Sequence, residues 1–186
     1  EAAGSAAEAA IAEGSAGQFE VILRHGSDVL KVADDVVLMK HLIRGIAQQH
    51  GIAASFMAKP YAAAAGNGLH CHVSRVDAAG RNVFDDGGAR GSAPLHHAVA
   101  GALAAMPELT LVLAPHLNSS RRLRAGAHAP THATRAYEDR FAALRIPGGP
   151  GAARRIEHRV AGADACPYLA VAAILGAMLE GIEAGV

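Results

Sequence analysis

The chain has 186 residues, and 17 Lys and Arg balance 17 Asp and Glu, so its formal net charge is zero. Such a balance gives no long-range attraction to nucleic acid or to an anionic membrane. With 51% hydrophobic and 18% charged residues, the composition also excludes wholesale disorder. Cys71 and Cys166 lie far apart without CxxC spacing, which favours a reducing, cytoplasmic setting. We therefore expect one globular domain with neither nucleic acid nor membrane as a partner.

The first third of the chain predicts a hairpin, a long helix and a further strand. Residues 14–17, Gly-Ser-Ala-Gly, are typical of a turn, and residues 19–23 have the β-branched and aromatic character of a strand. From Ser27, apolar residues recur at three- and four-residue steps until Gly51, which predicts an amphipathic helix. Residues 53–57 then predict a strand that ends before Pro60.

The remaining elements complete an α+β order. They are an alternating segment at 68–74, a glycine-rich loop at 85–93, a helix from Pro94 to about Met106, a strand at 109–113, a broken arginine-rich region at 118–159, a strand at 155–160 and a helix that opens at Pro167. Without strict βαβ alternation, this order predicts an α+β domain. The apolar residues 167–182 are shorter than the ~20 residues of a membrane span, so we expect a buried helix there.

His70 and His72 form the first candidate site. On a strand, residues i and i+2 share a face, so both imidazoles would point the same way and could bind a metal or a phosphate. A chance pairing is the simpler alternative in a chain with 11 histidines, because zinc sites usually show more ligands nearby.

The segment 155–159, Arg-Ile-Glu-His-Arg, is the second candidate. Alternation places Arg155, Glu157 and Arg159 on one face. More arginines precede this strand, namely Arg121, Arg122, Arg124, Arg135, Arg140, Arg145 and Arg154. Guanidinium groups bind carboxylate and phosphate bidentately, so this region suits an anionic substrate. An exposed ion-pair ladder or an RNA-binding stretch is the alternative, and the lack of interleaved aromatic residues argues against RNA.

Glu13 and Glu20 form the third candidate, because they flank the turn at 14–17. Across a hairpin the two carboxylates could approach each other and offer hard oxygen ligands to Mg²⁺ or Mn²⁺. Two unrelated surface glutamates are the alternative, since acidic side chains are mostly exposed. The sequence has neither a Walker A motif nor a G-x-G-x-x-G motif.

Several separate segments together resemble the catalytic domain of glutamine synthetase, in the family's order. They are EGSAGQFE at 13–20, FMAKP at 56–60, GLHCH at 68–72, NSSRRL at 118–123, RIP at 145–147, ARRIEHR at 153–159 and PYLA at 167–170. The resemblance covers nearly the whole chain and looks closest to the γ-glutamylpolyamine synthetase-like branch, through residues 56–60 and 137–140. It implies a glutamine synthetase/guanido kinase-like fold, with a curved, mainly antiparallel sheet and flanking helices.

The resemblance implies an ATP-dependent ligase. The glutamate γ-carboxylate would be activated as γ-glutamyl phosphate, and an alkyl amine or polyamine would displace phosphate. Two to three Mg²⁺ or Mn²⁺ ions per complete site are implied, with Glu13 and Glu20 at one metal and His70 and Glu157 at another.

The resemblance also implies roles for the other polar residues. His72 and Ser74 would lie at the ATP phosphates and nucleoside. Gly66, Arg122, Arg140 and Arg159 would hold the amino-acid substrate, Arg140, Arg145 and Arg155 the phosphates, and Arg140, Arg159 and His128 would be catalytic.

Three departures from the family pattern bear on the substrate. His128 stands where ammonia-using members have a flap glutamate, and a neutral imidazole lacks that fixed negative charge, so we expect a larger amine. Ala65 replaces an asparagine of the substrate loop, and Ala152 replaces a lysine near the nucleotide. An ammonia-using glutamine synthetase, or a catalytically dead truncated paralogue that acts as an assembly partner, remains the alternative.

Residues 1–186 are expected to be only part of the family's catalytic domain. The amino-terminal β-grasp domain, the first catalytic strand with a further glutamate for each metal, and the carboxyl-terminal end have no counterpart here. The resemblance implies a homo-oligomeric ring, a hexamer or dodecamer, for the full-length protein. We therefore expect these residues alone neither to bind Mg²⁺ tightly nor to turn over.

Overall fold

The computed structural model of the chain describes residues 6–186. Its strands are β1 (Ala7–Ala12), β2 (Phe19–Leu23), β3 (Cys71–Val73), β4 (Arg135–Tyr137), β5 (Leu144–Ile146) and β6 (Ile156–His158). Its helices are α1 (Val29–Gln49), α2 (Ala93–Leu113), the single turn α3 (Leu117–Ser120) and α4 (Pro167–Ala184). Strands and helices are mixed without βαβ repetition, so the predicted α+β class is confirmed.

The strands form two separate sheets. β1 and β2 make an antiparallel hairpin in which Ala12 pairs with Phe19, as the turn at 14–17 predicts. The other four strands lie in the order β3, β6, β5, β4; β6 is antiparallel to both neighbours, whereas β4 and β5 are parallel. β6 is therefore central, and its register sets Glu157 opposite His72 on one side and opposite Arg145 on the other.

Helices α2 and α4 form the layer behind the larger sheet and share one apolar core with it. They approach so closely that a Cβ atom on Gly101 would lie 2.7 Å from the Cα atom of Gly181. By length and hydropathy alone, both helices are apolar enough to cross a membrane. About a third of each apolar stretch is buried, where the helices pack against each other and share the core with the sheet residues Leu144, Ile146 and Ile156.

Two predicted elements differ from the structure. Residues 53–57 are not a strand, and residues 109–113 are the last turns of α2. The sequence predicts that this helix ends at about Met106, but it continues through Pro107 to Leu113. A short apolar run fits either state by periodicity, and here Met106 and Leu113, one heptad apart, are both buried against the core.

The other expected elements are present. α1 begins where the Asp28 side chain accepts a hydrogen bond from Lys31 N at 3.0 Å, and Gly51, with a φ of 69°, follows its end. The alternating segments at 68–74 and 155–160 contain β3 and β6, although each strand is only three residues long.

Candidate active site

Glu157 lies at the centre of a cluster of basic side chains on the larger sheet. Its Oε2 atom accepts a hydrogen bond from Arg145 Nη1 at 2.7 Å, and its Oε1 atom accepts one from Arg159 Nη1. The same Oε1 atom lies 3.4 Å from His70 Nδ1 and 3.8 Å from His72 Nε2. Four basic groups, from β3, β5 and the residues next to β3 and β6, thus converge on one carboxylate that is 3% exposed.

This cluster fixes the charge states of its members. Burial opposes ionisation of Glu157, but the hydrogen bond from Arg145 and the charge of Arg159 outweigh it and hold the pKa of Glu157 below its usual value. Burial, with the charges of Arg159 and Arg122, lowers the pKa of His70 to about 3. Burial likewise lowers the pKa of His72. At neutral pH the centre is therefore an anionic carboxylate held by two guanidinium groups beside two neutral imidazoles.

Arg155 acts on this centre through His72. Its Nε atom donates to His72 Nδ1 at 3.0 Å, which makes Nδ1 the acceptor and places the ring proton on Nε2, facing Glu157. The expected common face of Arg155, Glu157 and Arg159 is thus seen in two contacts: Arg159 reaches Glu157 directly, and Arg155 reaches the histidine beside it.

Arg122 lies under the loop that contains Gly66 and Gly68, and it is almost fully buried. It donates from Nη1 to Val160 O at 2.8 Å and from Nη2 to Arg159 O at 3.0 Å. Burial, with the charge of Arg159, lowers its pKa to about 10, so it stays charged at neutral pH. A Cβ atom on Gly66 would lie 2.9 Å from Arg122 Cγ, and one on Gly68 would lie 2.6 Å from Arg122 Nη2. Only glycine allows the loop to pass this close to the guanidinium.

The hairpin brings Glu13 and Glu20 together. Burial raises the pKa of Glu20, and a hydrogen bond to the Glu13 carboxyl and the negative charge of Glu13 raise it further. The charge of Glu157 acts in the same direction and that of Arg140 opposes it, so both lie within electrostatic reach of Glu20. The two hairpin glutamates therefore lie close together, as the hairpin turn predicts, and Glu157 is near enough to Glu20 to influence its pKa.

The chemistry of these donors fits divalent metals, although each set is small. Glu13 and Glu20 offer hard carboxylate oxygens, and His70 is a neutral imidazole next to the Glu157 carboxylate. Between residues 6 and 186, no three His, Cys, Asp or Glu side chains gather into a metal-binding group. Each predicted pair would therefore supply only two of the ligands that a divalent metal needs.

His128 and Ser74 lie on exposed parts of the fold. Ser74 follows the last residue of β3. His128 has a left-handed backbone, with a φ of 55°, and its ring centroid is 6.1 Å from that of Phe141. Both rings line a cavity of about 230 Å³. The other residues that line it have small side chains or none, namely Ala125, Gly126, Ala129 and Thr131.

Gln18 and Asn67 are polar residues that sequence reasoning did not single out. Gln18 Nε2 donates to Gly66 O at 3.0 Å and to Asn67 Oδ1 at 2.9 Å. The hairpin that carries Glu13 and Glu20 is therefore hydrogen-bonded to the loop over Arg122. The two residues are 49 positions apart, and neither composition nor spacing signals the contact.

The site combines a buried carboxylate held by two arginines, neutral histidines and a pair of neighbouring glutamates. These groups are chemically suited to anionic substrates and divalent metals. The sequence profile described as glutamine synthetase, catalytic domain, matches residues 1–186, and the chain belongs to that family.

Individual relatives agree with this assignment. The chain is 44% identical over 177 residues to gamma-glutamylputrescine synthetase of Escherichia coli, a match that covers 95% of this chain and 38% of the relative. It is 40% identical over 181 residues to gamma-glutamylethanolamide synthetase of Streptomyces coelicolor, with 97% and 38% covered. A solved GmaS/ADP complex superposes with a TM-score of 0.88 at 35% identity, over 100% of this chain and 44% of that chain. The chain thus spans about two fifths of the length of these relatives.

Proposed function

We propose that the whole protein is an ATP-dependent ligase that joins glutamate to an amine through a γ-glutamyl phosphate intermediate. The observation that carries this proposal is the Glu157 centre, in which Arg145, Arg159, His70 and His72 converge on one buried carboxylate opposite the Glu13 and Glu20 hairpin. Phosphoryl transfer depends on positioning and on neutralising charge more than on covalent help from the protein, and this centre provides both.

Each group of residues would have its own task. Arg122 and Arg159, with Gly66 as part of the loop above, would bind and orient the amino-acid substrate. Arg140, Arg145 and Arg155 would hold phosphate oxygens and compensate the charge that develops on them. His72 and Ser74 would lie toward the nucleotide. Because Glu157 fixes Arg145 and Arg159 in place, these guanidinium groups are already oriented before a substrate arrives.

Divalent metals would bind at the two carboxylate sets. Glu13 and Glu20 would hold one ion, and His70 with Glu157 would hold another, each completed by ligands from beyond these pairs. Bound Mg²⁺ or Mn²⁺ would neutralise phosphate charge and align the transferring group.

The amine is proposed to be an alkyl amine or polyamine rather than ammonia. His128 carries no fixed negative charge with which to bind ammonium, and the cavity between His128 and Phe141 has small, mostly apolar walls that suit a carbon chain. The names of the relatives from Escherichia coli and Streptomyces coelicolor support an amine larger than ammonia. A cytoplasmic ring-shaped homo-oligomer is part of the same proposal.

The test is an amine panel with the whole protein. Phosphate release from ATP is measured with glutamate and Mg²⁺ as the amine is varied from ammonia through ethanolamine and isopropylamine to putrescine. We expect release that requires both glutamate and an amine, with kcat/KM for the best alkyl amine at least tenfold above that for ammonia. Turnover of ammonia at least as efficient as that of every alkyl amine would contradict the choice of amine. Phosphate release that never depends on glutamate would contradict the proposal that the protein is a glutamate–amine ligase.

A matched variant tests the role of His128. Replacing His128 by Glu restores a negative charge at the same exposed position, so ammonia turnover is expected to rise relative to alkyl-amine turnover. Thr131→Glu adds the same charge at another residue that lines the cavity and serves as the control.

A further inference from the structure

Gln18 joins two parts of the candidate site that are far apart in the chain. Its Nε2 atom donates to both Gly66 O and Asn67 Oδ1, at 3.0 and 2.9 Å. A third hydrogen bond links the same two segments in the opposite direction, because Ala65 N of the loop donates to Ser15 Oγ of the turn at 2.8 Å. The turn that carries Glu13 and Glu20 is therefore bonded at its tip to the loop that covers Arg122.

The amide of Gln18 has only one orientation that satisfies these contacts. Gly66 O can only accept a hydrogen bond, so the Gln18 atom facing it must be the donor Nε2. Asn67 is oriented in the same way, because its Nδ2 atom donates to Met57 O at 2.8 Å and leaves Oδ1 to face Gln18. The bonds form one directed chain from Gln18 through Asn67 to Met57.

Asn67 is itself held firmly by the body of the domain. Its main-chain N donates to Ala58 O at 2.8 Å, and its main-chain O accepts from Ala163 N at 3.0 Å. Gln18 is equally fixed in the hairpin, where its main-chain O accepts from Glu13 N at 2.9 Å. The side chain of Gln18 is thus hydrogen-bonded to Asn67, and its main-chain oxygen is hydrogen-bonded to the main chain of Glu13. Gln18 therefore links the rest of the domain to the strand end that carries Glu13.

Within the described residues, the strands of the hairpin are largely exposed to solvent. All residues of β1 and most of β2 are exposed, so apolar packing contributes weakly to its placement. The loop, in contrast, lies directly on Arg122, since a Cβ on Gly66 would meet both Ala58 O and the Arg122 side chain. A contact at the hairpin tip can therefore set the distance between Glu13 and Glu20 and the Arg122 pocket.

We propose that Gln18, through Asn67 and Gly66, is a positioning residue that aligns the Glu13 and Glu20 hairpin with the substrate loop over Arg122. This inference rests on the proposed function only for its kinetic consequence. The alignment itself is a property of the fold and has its own measurement.

The first experiment measures that alignment by hydrogen exchange in the whole protein. Gln18→Glu keeps Oε1 and replaces only the donor Nε2 by an oxygen, which sets a carboxylate against two acceptors. Gln48→Glu, at an exposed position of α1, adds the same charge elsewhere and is the control. The amide of Ala65 is the reporter, because its acceptor, Ser15 Oγ, belongs to the turn. We expect its exchange to become about tenfold faster in Gln18→Glu and to stay unchanged in Gln48→Glu.

The second experiment separates positioning from stability. For Gln18→Glu we expect the KM for glutamate to rise about 10- to 100-fold while the KM for ATP stays within about twofold and Tm within about 3 °C of wild type. A merely structural role would lower Tm and raise both KM values together, and that result would overturn the proposal.

A double-mutant cycle with Asn67→Ala tests the pairing. Because both residues act in one contact, the double variant is expected to be little worse than the more impaired single variant. Fully additive losses would overturn the proposal, as would unchanged exchange at Ala65 in Gln18→Glu. If the wild-type protein shows no glutamate-dependent turnover, the proposed ligase fails, and the exchange result still decides the alignment.

Discussion

Replacing Glu157 by Gln should destabilise the protein even when no substrate or metal is bound. The side chain of Glu157 is 4% exposed, and those of its partners Arg145 and Arg159 are 15% and 10% exposed. Removing one partner of a buried ion pair costs about 3–5 kcal/mol, because the remaining charge is left uncompensated. Both guanidinium groups keep some access to water, so we expect a loss of about 3 kcal/mol.

The assay is equilibrium unfolding of the whole protein in urea, with EDTA present so that metal binding does not contribute. Glu138→Gln is the matched control, because it makes the same change at a carboxylate that lies 3.7 Å from Arg145 but is 60% exposed. An exposed pair contributes about 1 kcal/mol or less. The two variants therefore compare a buried carboxylate that holds Arg145 and Arg159 with an exposed carboxylate beside Arg145.

The pH dependence gives an independent check. The pKa of Glu157 in the folded protein lies below its usual value of 4.5, so its stabilisation is fully present above pH 4.5 and is lost as the pH falls through the folded pKa. The difference in unfolding free energy between wild type and Glu157→Gln should therefore shrink below pH 4.5. A difference of less than about 1 kcal/mol at pH 7, or one that does not change in acid, would refute the ion-pair account.

Three further outcomes are expected. Gly101→Ala should lower the free energy of urea unfolding by about 1–3 kcal/mol, because the added Cβ would meet the main chain of α4. Gly176→Ala has open space around it and should raise that free energy by about 0.5–1 kcal/mol. Equal effects of the two substitutions would contradict the close approach of α2 and α4. Ser92→Ala should lower the free energy of unfolding by about 1–2 kcal/mol, since its hydroxyl caps α2 at Leu95 N and donates to Val83 O, and an unchanged urea midpoint would argue against the cap. Residues 1–186 alone should show no glutamate-dependent phosphate release, and release at the rate of the whole protein would disprove that expectation.

The sequence was most informative where one local rule decided the structure. The turn residues at 14–17 predicted the hairpin that brings Glu13 and Glu20 together. Alternation in residues 155–159 predicted the shared face of Glu157 and Arg159, and their contact confirms it. The first prediction rests on the chemistry of turn residues and the second on the two-residue period of a strand, and neither rule needs knowledge of the rest of the fold.

Sequence reasoning was weaker where tertiary contacts decide. Residues 109–113 carry an apolar run that is too short to separate helix from strand, and they are helical because Leu113 is buried in the core beside α4. The bond from Gln18 to Asn67 depends on a fold that brings residues 49 positions apart together. The roles assigned to the site residues, among them Ser74, Arg140 and His128, come from family resemblance and stay predictions.

The arginines of the site lose their freedom when the chain folds rather than when a substrate binds. Arg122 is fixed by two main-chain carbonyls, and Arg145 and Arg159 are fixed by Glu157. An unrestrained arginine side chain carries about 2 kcal/mol of rotamer entropy. Because folding has already restricted these three side chains, an incoming anion has few protein groups left to order. The selectivity of this site among anions should therefore depend more on the shape of the anion than on rearrangement of the three arginine side chains.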